Sequence, residues 1–134
     1  MMTRMEVAVA VLLLAAQTAV AQDEGSAEGL AVVRSGERAS FERDTIAQYG
    51  PQARFEVTVT WDPAAGPRPA EHMARRVRYV ANCPAGTLTL VAVGVFDPDG
   101  SLLKSMIMPP GASDPVTPGA GSQEERWMRE ACRG

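Results

Sequence analysis

Residues 54–62 read RFEVTVTWD, in which Phe55, Val57, Val59 and Trp61 alternate with Arg54, Glu56, Thr58 and Thr60. Successive side chains of a strand point to opposite faces, so this period of two predicts a strand with one buried and one wet face. ARRVRYVANC (74–83) repeats the pattern, with Val77, Tyr79, Ala81 and Cys83 on one side and Arg76, Arg78 and Asn82 on the other. Between them PAAGPRPAE (63–71) holds three prolines and a glycine, and reads as a loop. Two half-buried strands joined this way predict an antiparallel sheet, and Cys83 points toward its core.

Working outward, TLTLVAVGVFD (87–97) has apolar residues on both faces after Leu88, which predicts an interior strand covered at least in part on both sides. Gly94 within it suggests a bulge or the close approach of a neighbour. SLLKSMIMP (101–109) reads as its partner strand. The DPDG between them (97–100) could open a calcium loop or form a tight turn. A loop of the EF-hand kind needs a bidentate glutamate at its twelfth position. Counted from Asp97 that position is Met108, and residues 101–108 contain no carboxylate. Pro98 instead presets φ for a turn, Asp97 can bond back to the turn amides, and Gly100 accepts positive φ. The stretch predicts a turn.

Upstream, LAVVR (30–34) and ASFER (39–43) are short strand-like pieces, whereas DTIAQYGP (44–51) looks irregular before its Gly-Pro stop. Downstream, PPGASDPVTPGAG (109–121) predicts an extended connection. SQEERWMREACRG then opens with Ser122 and Glu125 at capping-box spacing, with Glu124 and Glu125 at the positive end of a helix and Arg129 and Arg133 toward its negative end. Gly134 stands where a C-cap belongs. Met128, Ala131 and Cys132 share a stripe, with Trp127 four residues before Ala131, so the helix is expected to pack on the sheet through that side.

At the N-terminus, a short polar start with Arg4 precedes an apolar run from Val7 to Ala16, and Ala19-Val20-Ala21 supplies small residues. That order predicts a secretory signal peptide, 1–21, cleaved after Ala21. The run falls short of the roughly 20 apolar residues of a span. QDEGSAEG (22–29) reads as a flexible leader and 30–134 as a single domain. The formal net charge is −3, with 13 basic and 16 acidic residues, which gives no reason to expect nucleic acid as a partner. Cys83 and Cys132, an even pair in an exported chain, are most simply read as one disulfide. No cysteine follows the cleavage site, so no lipid anchor is expected.

Catalytic constellations are not found. His72 stands alone beside the proline-rich loop and reads as solvent-facing. The serines sit in no nucleophile elbow, and there is no phosphate-cradling glycine loop or H-E-x-x-H. No catalytic, cofactor-binding or metal-ligating residue is assigned. Arg75, Arg76 and Arg78 form the most suggestive surface feature. Arg76 and Arg78 share a strand face and could receive a carboxylate, phosphate or sulfated sugar. The favoured alternative is cross-strand pairing, with Glu56 or a helix glutamate. Trp61 and Trp127 read as core or edge-covering residues rather than ligand platforms.

The ordered set ERDTI (42–46), FEVTVTW, RYVANC, VGVFDPDGSLL, VTPGAGS and a short final helix with a second cysteine resembles the surface-adhesin protein E domain of exported proteins of Gram-negative bacteria. The resemblance spans about residues 38–133. It implies an antiparallel sheet with a packed helix and one disulfide, carried onto Cys83 and Cys132, and an interaction protein, since the family's namesake is an adhesin that binds host proteins. The namesake looks lipid-anchored, whereas this chain is not expected to be. The expectation is therefore an α+β fold with an antiparallel sheet of about five or six strands and one C-terminal helix stapled to it. Its expected role is a non-enzymatic binding module, periplasmic in preference to cell-surface or secreted, with a protein or an anionic glycan as partner. The alternative is a structural envelope component or a homodimer joined at its sheet edges. A small hydrolase would need a cleft whose residues the sequence does not bring together.

Overall fold

The computed structural model describes Leu30, residues 32–109 and residues 113–133. The expected signal peptide (1–21), the expected leader (22–29), residues 110–112 of the proline-glycine connection and the expected cap at Gly134 lie outside the described residues.

Within them the fold is α+β. Strands β1 (Glu37–Tyr49), β2 (Gln52–Trp61), β3 (Ala74–Asn82), β4 (Thr87–Phe96) and β5 (Leu102–Ile107) form one antiparallel sheet in the order β1-β2-β3-β4-β5. A 3-10 turn at Pro63–Ala65 interrupts the β2–β3 loop, and helix α1 (Gln123–Arg133) follows β5. The alternation of β2 and β3 decides which face is buried. Ala53, Phe55, Val57 and Val59 of β2 and Val77, Tyr79 and Ala81 of β3 are fully buried, in one core with Trp127 and Ala131 of α1 and Leu30. Phe41, Phe55, Tyr79 and Trp127 form a chain of ring contacts from β1 to the helix, with centroids 5.2, 5.4 and 5.9 Å apart. Such tilted and offset pairs add to simple area burial.

Cys83, one residue past β3, is bonded to Cys132 in the last turn of α1, with Cα atoms 5.7 Å apart. The helix start is capped, though not as a reciprocal box. Ser122 Oγ accepts from the Glu125 N–H at 3.2 Å, but Glu125 Oε1 accepts from Gly121 N–H at 2.8 Å. The Ser122 N–H is already taken by the Gly119 carbonyl, so the carboxylate reaches one residue further back. The β4–β5 connection is the expected turn: Asp97 Oδ1 accepts from the N–H groups of Asp99 and Ser101 at 2.9 and 3.0 Å, and Gly100 has φ of 88°.

Other local expectations change or narrow. Residues 32–34 are not a strand. Their segment crosses the helix side of the sheet, where the Leu30 carbonyl accepts from Tyr79 OH at 2.9 Å and the Val32 carbonyl from Arg75 Nη2 at 2.6 Å. Side chains satisfy this backbone, so it needs no ladder. Residues 44–49, expected to be irregular, continue β1 across a register shift between Glu42 and Ala47. Thr45 makes that possible, its hydroxyl accepting the Glu56 N–H at 2.8 Å and donating to the Glu42 carbonyl at 2.6 Å. In β4 the bulge falls at Val91, between the Arg78↔Ala92 and Tyr79↔Leu90 pairs, and of the two readings of Gly94 the close approach holds, with Phe96 and Leu102 against it. Glu124, expected simply to face the helix end, is buried beside Trp127 and Ala131.

Closing the 49-residue Cys83–Cys132 loop is worth about 4 kcal/mol in the chain-entropy view. Cys132→Ser is expected to lower the unfolding free energy by about that amount in urea titrations. A loss near zero would mean that the helix docks equally well without its staple.

Candidate functional site

Strand pairing sorts the three arginines. Arg76 lies opposite Thr58 and Gly94, and Arg78 opposite Glu56 and Ala92, on the face that α1 does not cover. Arg75 lies opposite Val59 and Val95, on the helix side. The cluster is therefore two sites, back to back. On the open face Glu56 binds both of its neighbours: Arg78 Nε and Nη2 donate to Glu56 Oε2 at 3.1 and 2.8 Å, and Arg76 Nε stands 3.7 Å from Oε1. The cross-strand pairing with Glu56 is thus present. The Arg76 guanidinium also lies 5.9 Å from the Phe96 ring centroid, within cation–π range.

Beyond these charges the open face turns apolar. A groove of about 220 Å³ runs between Arg76, Arg78, Gly94, Phe96, Ser105 and Ile107. Gly94 leaves its floor bare, and Phe96 and Leu102 fold over it, 3.4 and 3.5 Å from where a Cβ would stand. The outer wall is β5, all six residues of which are exposed. Leu102, Leu103, Met106 and Ile107 keep 56, 53, 47 and 79% of their surface in solvent. Leu103 is the extra residue of a bulge between the Val95↔Lys104 and Phe96↔Leu102 pairs. Ordinary strand edges are blunted by charge or bulges. This one has a bulge and Lys104, yet it leaves four large apolar side chains exposed along six residues, the kind of surface that marks an interaction site.

On the helix side Arg75 makes a forked pair with Glu37, Nη2 to Oε1 at 2.6 Å and Nη1 to Oε2 at 2.9 Å. His72 Nε2 lies 2.7 Å from Glu37 Oε2, and the Arg34 N–H donates to Oε1 at 2.9 Å. His72 is largely covered in this cluster, against the Trp61 ring at 5.4 Å, and does not face solvent as its loop position suggested. Trp61 in turn donates Nε1–H to the Gly66 carbonyl at 2.9 Å and lies on Gly36, where a Cβ would come within 2.3 Å of the indole. Burial pushes the Glu37 pKa up, but Arg75, the Arg34 N–H and His72 outweigh it and lower the value to about 2. A carboxylate held this way is a weak base. The cluster fastens the proline-rich loop to β1 and β3.

Glu37 escaped the sequence reading, and Arg75 and His72 were expected at the surface. Arg75, expected at the surface with Arg76 and Arg78, shares the parity of Val77 and Tyr79 and lies on the helix side instead. Glu37 and His72 meet across 35 residues, and no local pattern joins them. No family model, curated protein or solved structure matches the chain.

Since the folded-state pKa of Glu37 is depressed from 4.5 to about 2, its contribution is present above pH 4.5 and is lost as pH falls through 2. The share is about 3 kcal/mol. The wild type is expected to lose that much more stability than Glu37→Gln over the same acid interval, read from urea midpoints. Equal losses would show that the carboxylate is not held by the clamp.

Proposed function

We propose that this chain is an exported, non-enzymatic interaction domain, resembling surface-adhesin protein E, that works in the periplasm and binds another polypeptide at the β4–β5 end of its open sheet face. The observation that carries this reading is the apolar strip of Phe96, Leu102, Leu103 and Ile107 beside a strand edge with no neighbouring strand among the described residues. An extended polypeptide can satisfy both the edge amides and the apolar side chains. An anionic glycan fits less well, because Glu56 already engages both Arg76 and Arg78. The disulfide and the absence, among the described residues, of any helix long and apolar enough to cross a membrane are compatible with an exported chain.

A photo-crosslinking residue placed at Ile107 in living cells is expected to yield a protein adduct, whereas the same residue at Arg38, on the polar end of that face, is not. An adduct pattern that ignores position, or none at 107, would overturn the reading. For location, protease added to intact cells is expected to spare the domain until the outer membrane is opened.

A further inference from the structure

We propose that the strand β5 accepts is β5 of a second copy of this chain, paired antiparallel about a two-fold axis through Ser105, so that two five-stranded sheets become one. The inference rests on reading the β5 edge as the binding surface and adds the identity of its occupant.

The geometry leaves few ways to do this. Antiparallel strands joined edge to edge by a two-fold share one sheet only if the axis stands perpendicular to it. Side chains alternate between faces, so the axis must then pass where a residue meets its own copy. In the six residues LLKSMI the central positions are Lys104 and Ser105. An axis at Lys104 would set two ammonium groups directly opposite each other, which is unfavourable. An axis at Ser105 sets Lys104 against Met106 and Leu103 against Ile107, twice over.

The backbone agrees with that choice. Met108 donates its N–H to the Val91 carbonyl, across the interior side of β5. Bonding direction alternates along a strand, so Met106 and Lys104 also face β4 while Ser105 and Ile107 turn their N–H and C=O groups outward. Ser105 opposite its own copy is then a pair that exchanges two N–H···O=C bonds. Lys104, which guards the edge against indiscriminate pairing, here selects the register. Leu103 and Ile107, two of the most exposed apolar side chains described, gain each other as cross-strand neighbours.

The test uses the purified exported chain with its native disulfide closed. Sedimentation is expected to show a dimer that dissociates on dilution. Ser105→Lys, which puts like charges on the axis at an exposed position, is expected to be monomeric with an unchanged circular dichroism spectrum. Under mild oxidation Ser105→Cys should link into a covalent dimer, since residues opposed in such a pair stand about 5.5 Å apart. Lys104→Cys should not, because its two copies would lie more than about 7 Å apart. A wild type that stays monomeric at its highest soluble concentration overturns the proposal, as does a dimer that links through Cys at 104 and not at 105. A monomer whose Ile107 adduct in cells is a foreign protein removes the second copy and leaves the interaction reading standing. No adduct of either kind removes both.

Discussion

A sheet of five strands has two faces to keep from water, and among the described residues this chain has one eleven-residue helix with which to cover them. The helix contacts β1, β2 and β3, and it is held there from both directions. Its buried side chains meet the Phe55–Tyr79 pair, and Cys132 is bonded to the chain just past β3. The β4 half of the same face is covered in part by Val32 and Val33, a piece of chain with no ladder of its own. Nothing described covers the opposite face. Its β1–β3 half answers that exposure with Arg38, Ser40, Thr58 and other polar residues, while its β4–β5 half does not. The asymmetry between those halves is what gives the open face a direction.

The two acid–arginine groups show how burial changes what the same chemistry does. Glu56 pairs with Arg76 and Arg78 on the open face, where both arginines remain exposed and such pairs contribute little. Glu37 with Arg75 and His72 is almost fully enclosed, with the Glu37 side chain only 3% exposed. There each polar group must find a partner or the cluster becomes a liability, and removing one member strands the others. The forked guanidinium, the Arg34 amide and the imidazole together occupy the carboxylate, so the cluster holds a loop rich in proline without a regular element.

The legible parts of this fold were those governed by short-range periodicity. The alternation in 54–62 and 74–83 marked the buried face residue by residue, and DPDG declared its turn through the chemistry of Asp97 and Gly100. The capping serine and the cysteine pair indicated a stapled helix. What escaped was decided by distant partners. Residues 44–49 became strand because the Thr45 hydroxyl replaces a ladder bond to Glu56, and residues 32–34 did not because Arg75 and Tyr79 answer the segment's carbonyls. The sequence also marked β5 as a strand but not how exposed it would be. Leu102, Leu103 and Ile107 look like core residues in a list of letters. Only the order β1-β2-β3-β4-β5 puts them at a margin.

The disulfide also determines how this molecule would carry tension. A pull applied at the two ends of the chain runs through β1, β2 and β3 to Cys83, then crosses directly through sulfur to Cys132. The 48 residues between them hang in parallel with that bond and bear no load while it stays intact. Both β4 and β5 belong to this slack loop. A tethered domain of this kind can be stretched along its load-bearing half while the margin formed by β4 and β5 keeps its covalent path relaxed.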